Sequence, residues 1–258
     1  MTPISHCKTL AFFVLIATFS LNACAGLFGF GGDSWKEEVL LHDGQKIVVK
    51  RSLSYGGRHE LGKEEPIKEQ TISFLLPGSS KEVTWTSEYG DDIGRSNFSL
   101  LAVHLVNGTP YVVAEPNLCL SYNKWGRPNP PYVFFKYGGK EWQRIPISEF
   151  PAEFKTFNVV IGLASQSVEI LVKEGLVAAE TVKKRNGELT RFRDQPTIVR
   201  QVIPNVGGNC AEMVTNGRGD WFGVDMFKGH PSYAACLQFC KRNNFSEQSC
   251  RCAANKGQ

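Results

Sequence analysis

Val39-Leu40-Leu41-His42-Asp43-Gly44-Gln45-Lys46-Ile47-Val48-Val49-Lys50-Arg51-Ser52-Leu53 decides the fold. Two apolar-rich runs flank Asp43-Gly44, and Asp-Gly suits the positive φ of a type I′ turn. The stretch therefore predicts an antiparallel hairpin over 39–42 and 46–53. The same pattern recurs outward along the chain. Residues 71–76 and 82–86 flank Pro77-Gly78, residues 97–106 and 111–114 flank Asn107-Gly108, and residues 132–137 and 141–145 flank Gly138-Gly139. Residues 119–122 read as one more short strand. Residues 54–69, with Gly56, Gly57, Gly62 and Pro66, read as a long polar loop. Closely spaced strands with turn chemistry between them predict a mainly β domain over 35–160, an antiparallel β-sandwich or curled barrel.

From 161 to 258 the pattern predicts a small mixed α/β part. Residues 157–163 suit a strand at its border. Residues 176–189 carry apolar side chains at 176, 177, 179 and 182 and suit a helix. Residues 197–203 are β-like, and Gly207-Gly208 opens a glycine-rich stretch. Residues 231–242 suit a short helix with Pro231 in its first turn.

The chain's start suggests where the protein works. Lys8 precedes an apolar run, Leu10 to Leu21, that is too short to span a bilayer and has the pattern of an export signal. Leu21-Asn22-Ala23-Cys24 resembles the lipobox of bacterial lipoproteins. The resemblance implies a signal peptide over 1–23, lipid on Cys24 and a flexible tether over 24–34. Ala25 after the cysteine fits an outer-membrane lipoprotein facing the periplasm. Ala23-Cys24-Ala25 also allows ordinary cleavage to a soluble periplasmic protein.

The formal charge is +4, and no basic run carries interleaved aromatics, so nucleic acid is not an expected partner. Of the eight cysteines, Cys7 lies in the signal and Cys24 takes the lipid. The other six suit disulfides in an exported protein. Cys236 and Cys240 share a helical face, and Cys250 and Cys252 share one side of an extended segment. The spacing predicts Cys240–Cys250 and Cys236–Cys252, which leaves Cys119–Cys210. The gaps do not match a zinc-binding CxxC pair, so neither a metal nor a cofactor is expected.

Catalytic patterns are sparse. His59-Glu60 begins a zinc-peptidase motif, but Lys63 stands where the second histidine must fall. No G-x-S-x-G elbow and no phosphate loop is present. Asp91-Asp92 beside Gly90 and Gly94 reads as a solvated turn, as does Arg218-Gly219-Asp220. Within 119–132, proline and glycine stiffen the loop that carries Trp125, Arg127 and Tyr132, residue types common at binding hot spots. These three are the candidate binding residues. The competing reading has Trp125 capping the sheet edge and Arg127 pairing locally.

Four segments carry a family resemblance: Trp35-Lys36-Glu37-Glu38-Val39-Leu40-Leu41-His42-Asp43-Gly44, Gly56-Gly57-Arg58-His59-Glu60, residues 118–132, and Pro151-Ala152-Glu153-Phe154-Lys155-Thr156. Over about residues 35–200 they resemble a family of proteobacterial envelope lipoproteins without an assigned activity. The resemblance implies a bacterial source and a lipid anchor, and nothing about catalysis. The first expectation is thus a non-catalytic lipoprotein presenting a β domain to a periplasmic protein or cell-wall partner. The alternatives are an immunity-type inhibitor of a toxin, and an envelope hydrolase using Asp91, His59 or His104.

Overall fold

Two mainly antiparallel sheets share one apolar core in the computed structural model, which describes residues 32–59, 61–189 and 197–252. The signal, Cys24 and most of the expected tether lie outside the described residues. The first sheet begins with β1 (Ser34–Leu40) and β2 (Lys46–Tyr55), paired from Ser34↔Ser52 to Leu40↔Lys46. The hairpin forms where the sequence places it, but through a different turn. Leu41 and Gln45 close a three-residue loop, and Gly44 takes the left-handed conformation, φ 85°, without Asp43. Asp43 instead accepts the Gln45 N–H. β3 (Ile67–Leu75) and β4 (Glu82–Thr86) follow, and β11 (Leu176–Val177) lies parallel to β1, giving the order β11-β1-β2-β3-β4.

The second sheet has the order β10-β9-β8-β7, built from β7 (Phe98–Val106), β8 (Thr109–Pro116), β9 (Val133–Tyr137) and β10 (Trp142–Ile145). β7 and β8 are buried along most of their length, which explains why they read as continuous apolar runs rather than alternating ones. One face meets the first sheet, where Trp85 packs 5.7 Å from Phe135. The other is covered by Phe150 and Phe154, which lie 6.1 and 5.5 Å from Tyr111. The sheets form a sandwich and do not close into a barrel. The short β5 (Tyr89–Gly90) and β6 (Arg95–Ser96) make a separate ribbon at one end.

The expected strand over 157–163 does not form. Its backbone is held by side chains instead: Asn158 Oδ1 accepts the Val103 N–H at 2.9 Å while Asn158 Nδ2 donates to the Val103 carbonyl at 2.7 Å. One amide thus satisfies the edge of β7 as a neighbouring strand would. Asn186 does the same for Val159 and Ile161, and Glu37 accepts the Val160 N–H. Glu37 is fully buried and bonds Arg51, also fully buried, at 2.9 Å. This pair sits on the inner face of β1 and β2, where a second apolar cluster around Trp35, Leu53 and Val160 begins.

Residues 119–122 are helical rather than extended: α1 spans Leu118–Lys124. A four-residue apolar run fits either period, and burial of Ser121 against the Asn97 carbonyl favours the helix. α2 (Ser165–Glu174) is an additional helix, and α3 (Ala179–Glu188) is shorter than the sequence suggests because 176–177 join the first sheet. Glu38 of β1 accepts the Ala179 N–H and so caps α3. That bond, followed by Lys46, holds its carboxyl below the usual range. Residues 197–203 reduce to a single bridge, Thr156↔Thr197. β12 (Met213–Thr215) and β13 (Trp221–Gly223) form a hairpin in the glycine-rich stretch. α4 (Tyr233–Arg242) starts at a Ser232 cap, so Pro231 precedes the helix rather than opening it. The described residues from Gly32 onward form one compact unit, with Val159 and Ile161 inside the core of the sandwich.

Candidate functional site

The three sulfur bridges are Cys119–Cys210, Cys236–Cys252 and Cys240–Cys250. In the tail the two bridges stack, so the Cys236, Cys240 and Cys252 sulfurs lie within 4.8 Å of one another. All are consumed by S–S bonds, and Phe222, Phe227, Phe239 and Phe245 pack against them as a small separate core.

The structure does not gather Trp125, Arg127 and Tyr132 into one exposed surface. Trp125 packs 4.5 Å from Phe98, lies under the Arg144 guanidinium and donates to Asn97. Tyr132 is buried against Phe134 and Phe157. Arg127 lies over Tyr122 and donates to Asn123 and to the Ala211 carbonyl. Asn129 pairs with the Ile203 backbone through both amide atoms. The aromatic loop is therefore an internal brace that ties the second sheet to the segment around Cys210. Its stiffness serves the fold.

The hydrolase candidates stay apart as well. His104 is buried and donates Nε2–H to the Thr156 carbonyl, while the His59 ring hydrogen-bonds the Gly57 carbonyl. In the Asp91-Asp92 turn, Asp92 pairs with Lys124, and its carbonyl accepts from Trp221. Asp220 and Arg218 are held in the β12–β13 turn by Asn216.

What the fold does create is a two-lobed trough where the sheets part. The outer lobe, about 660 Å³, is walled by Arg58, His59, Lys63 and Arg95 and floored by Tyr55 and Ile67. The inner lobe, about 510 Å³, is lined by Leu100, Leu101, Ile161 and Leu189, with Gln70, Ser99, Glu115 and Asn117 at its polar side. The lobes share Pro66, Ile67, Arg95 and Leu163. Each lobe falls in the size range of small-ligand sites.

No protein-family model, curated protein or solved structure matches this chain.

Function must therefore be read from the trough. Two carboxylates share its outer lobe: Glu64, which accepts from Ser165, and Glu65. Tyr55 donates to Asp33 at 2.6 Å, and burial followed by that carboxylate pushes its phenol well above the ordinary value. It stays a neutral donor at every physiological pH. No histidine hydrogen-bonds Ser165 or Glu64 among the described residues, so a nucleophile–base–orienter set is not assembled. The trough was illegible in sequence because its lining is gathered from distant segments: Tyr55, Arg58 and Ile67 from one, Arg95 and Ser99 from another, Glu115 and Asn117 from a third, and Leu163 and Ser165 from a fourth. Only the arginines themselves, isolated among glycines at Gly56-Gly57-Arg58 and Gly94-Arg95, gave a local sign.

Proposed function

We propose that the protein is a non-catalytic binding module of the bacterial envelope, anchored by lipid on Cys24 at the periplasmic face of the outer membrane. It presents its sandwich to a periplasmic protein or cell-wall partner through the trough. The observation that carries the reading is the trough itself: a preformed cavity with charged and apolar walls and no assembled catalytic set among the described residues. Three disulfides favour an oxidising compartment. No described helix is long and apolar enough to cross a membrane. The family resemblance of the segments around Trp35 and Gly56 points the same way.

Two measurements test it. Metabolic palmitate labelling should mark the protein and fail for Cys24→Ala. A photocrosslinking side chain placed at Ser99, in the trough, should capture an envelope component in living cells, whereas one at Lys50 on an exposed face of β2 should not. Equal capture from both positions would remove the trough as the binding surface.

A further inference from the structure

We propose that the trough takes the terminal carboxylate of a short apolar peptide, with the carboxylate at Arg58 and Arg95 and the apolar body in the inner lobe. The inference deepens the binding-module reading and does not depend on the anchor. The Arg58 N–H donates to the Gly94 carbonyl at 2.8 Å. A Cβ on Gly57 would fall 2.3 Å from that carbonyl oxygen, and one on Gly94 would fall 2.6 Å from the Arg58 Cβ. Both glycines also adopt positive φ, 108° and 77°. The two loops can touch only because neither carries a side chain there, and that contact sets Arg58 beside the chain that continues into Arg95. Loop packing thus fixes the backbone from which both arginine side chains leave. Neither forms an ion pair among the described residues.

Charge selects the ligand. Among the described residues Arg58, Lys63 and Arg95 face Glu64 and Glu65 in the outer lobe, and a third carboxylate, Glu115, lies in the inner lobe. The cations thus gather at the outer lobe, which places an anionic group at Arg58 and Arg95 rather than deeper in the trough. A guanidinium fork matches a carboxylate through two parallel hydrogen bonds. Behind it the wall turns apolar at Leu100, Leu101 and Ile161, while Ser99 and Asn117 offer polar groups to an amide backbone. A carboxylate joined to an apolar peptide meets both halves. Such an end occurs on proteins and on cell-wall peptides, and the chirality of the last residue separates the two sources.

Calorimetric titration of the full-length protein tests this with N-acetyl-leucyl-alanine as free acid, its C-terminal amide, its D-alanine epimer and phenyl phosphate. The free acid should bind at least about tenfold tighter than the amide, the scale of one hydrogen bond to a charged group. Arg58→Gln and Arg95→Gln should each weaken it by a similar factor, Arg95→Lys by less, and Arg218→Gln not at all. Preference for the D epimer would assign the ligand to the cell wall, and preference for the L form to a protein end. Equal binding of acid and amide, tighter binding of phenyl phosphate, or unchanged affinity in both glutamine variants would overturn the proposal. Should a glutamine variant lose its thermal midpoint, the acid-to-amide ratio of the unaltered protein decides alone. Failure of the peptide with Ser99 crosslinking intact would remove this ligand and leave the binding module standing.

Discussion

His104 is a base enclosed where its proton is unwelcome. The ring is fully buried, stacks on Phe154 at 4.6 Å and donates to the Thr156 carbonyl at 3.0 Å. Burial pushes its pKa down to about 4, opposed by the Thr156 bond and helped by nearby His42. In the unfolded chain the ring gains a proton below about 6.5, whereas in the fold it does so only near 4. Its contribution is thus complete above pH 6.5 and is lost as pH falls through that window, by about 3 kcal/mol in total. Urea midpoints measured at pH 7 and pH 4.5 should differ less in His104→Gln than in the unaltered protein. The Glu37–Arg51 pair makes a second prediction at this scale. Trp35 and the Val160 N–H also bond Glu37, so removing the carboxylate alone strands a buried guanidinium. Glu37→Leu should cost about 3–5 kcal/mol, and adding Arg51→Met should recover much of it, because a buried pair repays little more than its own desolvation. A double-mutant cycle in denaturant reads both.

At the scale of elements, Asn158 replaces a strand. Its amide pairs with both backbone groups of Val103 and also donates to the Leu40 carbonyl, joining the edges of both sheets. Asn158→Leu keeps the volume but leaves buried donors and acceptors unpaired, each costing about 1–3 kcal/mol. The expected loss is several kcal/mol, with hydrogen exchange accelerated first at Val103. An unchanged Val103 rate would show that the backbone finds other partners. This element also marks where the sequence stops being readable. Hairpins joined by Asp43-Gly44, Pro77-Gly78, Asn107-Gly108 and Gly138-Gly139 are local, so turn chemistry and alternation reveal them. Residues 157–161 are apolar enough for a strand, yet the pairing is made by side chains that arrive from 158, 186 and 37. Nothing in the run itself distinguishes the two. The same limit turned α1 into an expected strand, since four residues cannot display a period. Trp125, Arg127 and Tyr132 looked like binding anchors for a related reason: the residue types that suit a partner suit a brace equally well.

Across the whole molecule the disulfides divide the labour unequally. Cys119–Cys210 spans 91 residues and fixes the aromatic loop of the sandwich to the segment that enters the tail. The tail bridges span 16 and 10 residues, one nested inside the other. Loop-closure entropy alone assigns about 4.5 kcal/mol to the long bridge and about 3 kcal/mol to each short one, less where nesting makes them redundant. Packing sharpens the contrast. The tail sulfurs sit in their own aromatic cluster with Phe227 and Phe239, joined to the ribbon of β5 and β6 by the bond from Trp221 to Asp92. The long bridge instead anchors α1; its Ser121 and the preceding Asn117 bond the backbone at Asn97 and Ser96 beside the sandwich core. Cys119→Ser with Cys210→Ser should therefore lower the urea midpoint of the sheets and speed exchange in β7 and β8. Cys240→Ser with Cys250→Ser should loosen residues 213–252 and leave the exchange of β7 unchanged. If removing the tail bridge weakens the sheets as much as removing the long one, the two cores unfold as one, and the tail is part of the sandwich's stability rather than an appendage to it.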